Sequence, residues 1–274
     1  MNKSLAAALV TLVLTPAVAE AQIVRTAAGT AASVSPTLVQ FRADLGPRRE
    51  INWDGVPDSF AAPNNLPANF FNSNSPRGVV FSTPGTGLSV SANSNNPTGT
   101  AVEFGNINAS YPALFAPFSA QRLFTAVDSN IVDVNFFVAG TATPALSTGF
   151  GAIFADVDLP NTTSISFFGI SNDLIGTFFA APSGSNELMS FLGVSFATPV
   201  ISRVRITSGN AALAGGVNET AQTDLVVMDD FIYGEPIAVG LVPEPATWVM
   251  MIGGMGIVGS GLRRRAKKVS HVLV

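Results

Sequence analysis

Carboxylates in apolar surroundings are the residues of this sequence whose types and spacing could do chemistry. Asp229 and Asp230 lie inside an apolar run, and strand alternation predicts that they point to opposite faces, so that one of them faces the core. Asp156 and Asp158 stand two residues apart at the end of another apolar run, and Asp54 follows the first predicted strand. A buried carboxylate needs a cation, an arginine or several N–H donors. Because calcium takes about six to eight oxygen ligands, these five aspartates are candidate ligands of a structural Ca²⁺.

The alternative interpretation of the aspartate pair is a solvated strand end or bulge that binds no metal. The chain has no cysteine, and its one histidine is His271. Residues 22–242 therefore hold no histidine-based triad, cysteine nucleophile or usual zinc site. Paired carboxylates for glycoside hydrolysis stay open, but no glutamate stands in a recognisable catalytic context, and we name no catalytic residue. Trp53 is expected to pack in the core, with stacking on a ligand as the alternative.

The N-terminus has the three parts of a secretory signal peptide. Lys3 supplies the positive charge, Leu5–Leu14 is an apolar stretch too short to span a membrane, and two Ala-x-Ala sites end at Ala19 and Ala21. We expect cleavage after Ala21, which leaves Gln22 as the first residue of an exported chain.

The C-terminus combines a proline-rich motif, an apolar run and a basic cluster, in that order. The motif is Val242-Pro243-Glu244-Pro245, and residues 246–262 follow it without a charged side chain. At ~1.5 Å per residue this run makes a helix about 25 Å long, slightly short of a bilayer core, and we expect it to anchor a precursor in the inner membrane. The basic cluster can then hold anionic headgroups on the cytoplasmic side. It comprises Arg263, Arg264, Arg265, Lys267 and Lys268.

This C-terminus resembles the PEP-CTERM sorting signal of Gram-negative bacteria. The resemblance rests on Pro243-Glu244-Pro245, the glycine-containing apolar span and the arginine-rich end, and it is confined to the tail of the chain. It implies processing by an exosortase, a membrane-embedded transpeptidase-like enzyme, and an association with exopolysaccharide in a biofilm or envelope. The extension 269–274 departs from the pattern, since such tails often stop sooner. An ordinary C-terminal membrane anchor is the alternative.

The stretch between the two terminal signals is acidic. Residues 22–242 carry eight arginines against sixteen acidic residues, and all three lysines lie outside this stretch. The negative charge makes nucleic acid and anionic membrane surfaces poor partners and suits divalent cations. A stretch of this length buries enough apolar surface to fold without disulfides.

A short helix is predicted before the β-structure begins. Ser35 as N-cap and Pro36 at the first helical position mark its start, and Gly46 marks its end. Residues 22–34 ahead of it have the small, polar composition of a leader. The apolar face of the predicted helix comprises Leu38, Phe41 and Leu45.

About a dozen short strands follow, separated by turns rich in proline, asparagine, serine and glycine. The predicted strands are 49–53, 78–81, 87–92, 101–104, 121–127, 131–138, 150–157, 162–168, 174–180, 189–196, 200–207 and 224–233. This spacing predicts an all-β fold, a jelly-roll-like β-sandwich, with most of the phenylalanines in its core.

The sequence therefore predicts an exported protein built around one β-domain. The segments are a signal peptide (1–21), a leader with a short helix (22–47), the β-sandwich (48–236), a spacer (237–241), the sorting signal with its membrane helix and basic cluster (242–268) and a tail (269–274). The predicted function is a non-enzymatic surface or matrix protein, structural or glycan-associated, in exopolysaccharide or biofilm. The alternative is a secreted polysaccharide hydrolase that uses carboxylates alone. Calcium is the one cofactor the sequence suggests.

Overall fold

The computed structural model of the chain describes residues 22–240. The signal peptide with its cleavage site, the proline-rich motif, the predicted membrane helix and the basic cluster lie outside the described residues. Within residues 22–240, no helix is both long enough and apolar enough to cross a membrane.

Strands dominate this part of the chain. They are β1 (Gln22–Gly29), β2 (Arg48–Ile51), β3 (Val79–Ser82), β4 (Gly87–Val90), β5 (Phe124–Val127), β6 (Ile131–Phe136), β7 (Ala145–Leu146), β8 (Gly149–Ala155), β9 (Ser164–Phe168), β10 (Leu174–Phe179), β11 (Met189–Phe196), β12 (Arg203–Thr207), β13 (Val227–Gly234) and β14 (Ile237–Ala238). The helices are α1 (Ala31–Leu45) and α2 (Phe70–Ser73), and single 3₁₀ turns lie at Asp58–Phe60 and Tyr111–Ala113.

Two antiparallel sheets pack face to face. The larger sheet has the strand order β1-β11-β8-β13-β5-β4, with β2 also paired to β13, and the smaller sheet has the order β10-β9-β12-β6-β3. Both sheets contribute side chains to one hydrophobic cluster, which is the core of the sandwich. The predicted mostly-β fold with a short helix is confirmed at this level, while the jelly-roll type stays a prediction.

The outer faces of the two sheets differ in how they are covered. In β6 and β12 buried residues alternate with more exposed ones, so the smaller sheet has one wet face. In β8, β11 and β13 every residue is buried, because α1 and loop segments pack on the outer face of the larger sheet. These three strands are accordingly apolar or small at most positions and do not alternate.

Helix α1 begins at Ala31, about one turn before the predicted start. Thr30 is the N-cap, and its side-chain oxygen accepts the N–H of Ser33 at 3.3 Å. The hydroxyl of Ser35 instead donates to the carbonyl of Ala31 at 2.7 Å. The prediction of Ser35 as the cap was wrong, because Thr30 provides the same capping chemistry earlier in the chain. The helix does end before Gly46, and its buried face comprises Val34, Leu38, Phe41 and Leu45.

Glycines let α1 approach the larger sheet closely. A Cβ built on Gly151 of β8 would lie 2.7 Å from the ring of Phe41, and one built on Gly193 of β11 would lie 2.8 Å from it. The Phe41 ring also packs against Phe191, with ring centroids 5.4 Å apart. The absence of side chains at these two positions therefore makes the space that Phe41 fills.

The segments predicted as leader and spacer contain strands. Residues 22–29 form β1 and pair in register with β11, from Gln22 opposite Phe196 to Gly29 opposite Met189. Residues 237–238 form β14 and pair with β7. Strand edges present unpaired N–H and C=O groups, and flanking segments that pair with them satisfy these groups. The larger sheet therefore includes residues before position 48, and a separate two-stranded sheet of β7 and β14 includes residues after position 236.

Trp53 lies in the core, as the packing interpretation predicted. It is 1% exposed, and its ring stacks on that of Phe124 with centroids 4.0 Å apart. Its indole N–H donates to the carbonyl of Asp229 at 2.7 Å. In this position Trp53 is not available to stack on a sugar.

Candidate metal centre

The end of β8 and the start of β13 bring one set of acidic residues together. The two strands are antiparallel neighbours, and Ala155 pairs with Val227. The residue that follows β8 is Asp156, whose φ of 71° turns the chain away from the strand. It consequently lies beside the loop 208–226, which leads into β13 and carries Glu219. We call Asp156, Asp158 and Glu219 the carboxylate triad.

The oxygens of the carboxylate triad converge without hydrogen-bond donors. Each residue contributes one oxygen to a group whose members all lie within 4.8 Å of one another. Asp156 is 0% exposed, and Asp158 and Glu219 are half-buried. Both oxygens of Asp156, Oδ1 of Asp158 and Oε2 of Glu219 are buried and have no hydrogen-bond partner. Among residues 22–240 this is the one group of three such side chains with the spacing of metal ligands.

Burial and mutual repulsion make the triad hold protons in the metal-free protein. Burial, together with the negative charges of Glu219, Asp158 and Asp224, raises the pKa of Asp156 to about 9. Burial also raises the pKa of Glu219 to about 7, although its contact with Asp156 opposes that rise. The carboxyl groups of Asp156 and Glu219 can therefore share one proton near neutral pH, and a divalent cation would displace it.

Asp224 holds the backbone around the triad. Its Oδ1 accepts the backbone N–H of Asp158 at 3.0 Å, and its Oδ2 accepts the hydroxyl hydrogen of Thr162. Its own N–H donates to Oδ1 of Asn210 at 2.8 Å. Because both of its oxygens already have donors, Asp224 differs from the triad and serves to position Asp158.

Side-chain hydrogen bonds fix the loop that carries Glu219. The hydroxyl of Tyr111 lies 3.1 Å from the carbonyl of Ala214 and 3.0 Å from that of Val217. The side-chain N–H of Asn108 donates to the carbonyl of Val217 at 2.9 Å. These contacts hold the loop two residues before Glu219, so the direction of that side chain is set by the surrounding fold.

The other three predicted calcium ligands, Asp54, Asp229 and Asp230, lie away from the carboxylate triad. A β-bulge falls between Met228 and Phe231, where the register of β13 against β8 shifts. Asp229 and Asp230 sit in this bulge, and Ser119 interacts with both carboxylates. The prediction that strand alternation sends the two aspartates to opposite faces was therefore wrong, since a bulge breaks the alternation.

Backbone N–H donors satisfy the carboxylate of Asp229. It accepts from the N–H of Phe118 at 2.5 Å and from the N–H of Ser119 at 3.3 Å. Burial and the charge of Asp230 together raise the pKa of Asp229 to about 8. Asp54 accepts the backbone N–H of Arg122 at 3.2 Å. These contacts join the loop before β5 to β13.

The five predicted calcium ligands thus divide between two places. The structure brings Asp156 and Asp158 together, whereas Asp229 and Asp230 lie in the bulge and Asp54 contacts the loop before β5. Glu219 was missed as a ligand, because it stands alone in a polar loop with no periodic pattern around it. The sorting-motif residues, the basic cluster and the signal cleavage site lie outside the described residues.

Surface cavities in the described region carry few charges. Of five such cavities, two are lined by one carboxylate each, Asp173 in one and Asp44 in the other, and the remaining three have none. The paired carboxylates at residues 156 and 219 and at residues 229 and 230 line none of these five.

Comparison with known proteins identifies the C-terminal signal. Residues 241–265 match the family described as the PEP-CTERM protein-sorting motif, which confirms the resemblance seen in the sequence. The motif implies an exported protein, anchored in a membrane as a precursor and processed by an exosortase-type enzyme. No curated protein matches the chain.

Among solved structures, part of the chain is similar to the enzymatically active domain of tailspike protein 4 from bacteriophage CBA120. The identity is 14%, the match covers 62% of this chain and 21% of that chain, and the TM-score is 0.29. The chain therefore spans about a fifth of that structure. A likeness this small carries no argument about fold or function.

Proposed function

We propose that this protein is an exported β-sandwich that an exosortase-type enzyme releases from the inner membrane to the cell surface or the extracellular matrix. There it has a structural or glycan-associated role in exopolysaccharide or biofilm. The observation that carries the proposal is the sorting motif at residues 241–265, which follows almost directly on β14, the last strand, ending at Ala238. The sandwich itself is then the cargo that the signal delivers.

The distribution of carboxylates favours this role over the alternative, a polysaccharide hydrolase. Glycoside hydrolysis needs two carboxylates facing each other across an open cleft, about 5–10 Å apart. In the described region Asp156, Asp229 and Asp230 are buried, and the more open neighbours Glu103 and Glu187 line none of the five cavities described above. None of these five cavities has two carboxylates in its wall, as the cleft of a hydrolase would need.

A glycan-associated role has a candidate surface on the sandwich. A cavity of about 580 Å³ between α2 and the segment after β6 is lined by uncharged groups, including Asn69, Ser73, Phe137 and Thr141. Hydroxyl and amide groups beside an aromatic ring suit the hydroxyls and the apolar faces of sugars. The cavity lacks acidic side chains, so it would not repel an anionic polysaccharide.

Processing of the tail tests the proposal. Pro243, Glu244 and Pro245 should be changed together to alanine in the chain expressed in an exosortase-containing bacterium. We expect export and folding to persist while the precursor keeps its full mass and stays in the membrane fraction. The matched control changes Val269, Ser270 and His271 to alanine, beyond the basic cluster, and should be processed as the wild type is.

Mass spectrometry and cell fractionation give the readout. Normal processing of the triple-alanine variant, or of the wild type in a strain without the exosortase, would reject the delivery route. Binding of the wild-type protein to isolated exopolysaccharide, reduced by Phe137→Ala, would support glycan association. Hydrolysis of a polysaccharide by the wild type would instead favour the enzyme.

A further inference from the structure

The carboxylate triad has buried oxygens that no neighbouring donor satisfies. Both oxygens of the fully buried Asp156 lack a donor, and one buried oxygen each of Asp158 and Glu219 lacks one too. None of the arginine ion pairs found among residues 22–240 includes these side chains. Carboxylate oxygens that face only one another repel, and an unpaired buried charge is strongly unfavourable.

We propose that Asp156, Asp158 and Glu219 form a calcium-binding site that fastens the loop 208–226 to the end of β8. Oxygens around Ca²⁺ lie about 2.3–2.6 Å from the ion, so two ligands on opposite sides are about 4.6–5.2 Å apart. The triad oxygens, all within 4.8 Å of one another, fit this shell. Mg²⁺ demands near-ideal octahedral geometry and gives up its water reluctantly, so a set of protein carboxylates suits calcium better.

The three ligands come from two separate parts of the chain. Asp156 and Asp158 follow β8, and Glu219 lies in the loop between β12 and β13. Asp224 is a positioning residue, because its Oδ1 holds the N–H of Asp158 and its Oδ2 holds Thr162. An ion bound by residues so far apart in sequence stabilises the folded chain and binds the unfolded chain weakly.

This inference goes beyond the proposed function and does not depend on it. The ion would hold together the end of the sandwich where β8 ends and β13 begins, whatever the delivered domain does. Extracellular calcium modules have dissociation constants of about 0.1–1 mM, so a site of this class is filled outside the cytoplasm. The full stability of the sandwich would then be reached only where calcium is available.

Thermal unfolding tests the site directly. The full chain, purified in a nonionic detergent, should be melted at neutral pH and constant ionic strength with calcium, with magnesium and with a chelator. At calcium about a hundredfold above its dissociation constant, we expect the melting temperature to rise by about 5–11 °C relative to the chelator. Isothermal titration with calcium alone should give one site per chain, and magnesium should produce a much smaller shift.

Variants separate metal binding from a purely structural role. Asp156→Asn and Glu219→Gln should each abolish the calcium-dependent rise. Without calcium, Asp156→Asn should melt no lower than the wild type, since the amide is uncharged like the protonated carboxyl and can donate to Glu219. The matched control is Glu187→Gln, because Glu187 is an exposed carboxylate, and it should respond to calcium as the wild type does.

Several results would overturn the inference. Equal melting temperatures with calcium and with chelator would mean that the triad keeps a shared proton in place of a metal. An equal response to magnesium would reject the calcium assignment. A calcium response that survives Glu219→Gln would place the ion elsewhere. Because Glu219 lies in a half-exposed loop, this variant tests the site even if Asp156→Asn fails to fold.

Discussion

The bulge in β13 makes a definite prediction about pH. The carboxyl of Asp229, with a pKa raised to about 8 by burial and by Asp230, keeps a proton that it releases in the unfolded chain above a pH of about 4. The folded state therefore binds more protons than the unfolded state between these two pH values, and stability must fall as pH rises through this window.

The magnitude follows from a single proton. One proton retained by the folded state changes the unfolding free energy by at most about 1.4 kcal/mol per pH unit. For a domain of this size each kcal/mol moves the melting temperature by about 2–4 °C. Titration of the Asp229 carboxyl should thus lower the melting temperature by up to about 3–6 °C per pH unit between pH ~5 and pH ~8.

The assay compares the wild type with Asp229→Asn at each pH in saturating calcium. The asparagine can still accept the N–H of Phe118 but carries no charge. We expect the melting temperature of the variant, relative to the wild type, to rise steadily with pH, because titrations common to both proteins cancel in the difference. Asp173→Asn is the control, since Asp173 is exposed, and its difference should not depend on pH. A difference that stays flat for Asp229→Asn would show that the Asp229 carboxyl does not keep its proton in the folded state.

Two further predictions concern packing. Gly151→Ala should destabilise the protein by about 1–3 kcal/mol, because its Cβ would lie 2.7 Å from the ring of Phe41. In urea unfolding, the double variant that also carries Phe41→Leu should recover part of this loss. Gly55→Ala is the control: its Cβ would meet nothing within 4 Å, so it should change stability by less than about 1 kcal/mol. Trp53→Phe should cost about 1–3 kcal/mol, because the carbonyl of Asp229 loses its buried donor; an unchanged urea midpoint would show that water replaces the indole N–H.

Local patterns in the sequence predicted the elements that local chemistry controls. The face of α1 formed by Leu38, Phe41 and Leu45 follows from helical spacing, and these residues are buried. In the sequence of β12, Val204 and Ile206 alternate with Arg203 and Arg205, a pattern that predicts one wet face, and the structure agrees. Both patterns are set within a few residues, so the sequence displays them directly.

Features that depend on tertiary pairing were not visible in the sequence. β1 has the small, polar composition of a leader, and it is a strand because β11 offers it an edge. The bulge at Asp229 appears only when β13 is aligned with β8. Glu219 reaches Asp156 across about sixty residues of chain, through the pairing of β8 with β13, and no spacing rule connects the two.

Strands β8, β11 and β13 are buried on both faces, and this determines the order in which parts of the fold unfold locally. Amide hydrogens exchange with solvent only when the structure around them opens, and strands buried on both faces open last. β10, by contrast, lies at the edge of the smaller sheet and leaves Leu174 59% exposed and Phe179 49% exposed. Deuterium should therefore enter the amides of β10 first and those of β8 and β13 last, so that the strands flanking the carboxylate triad form the most persistent unit of the fold.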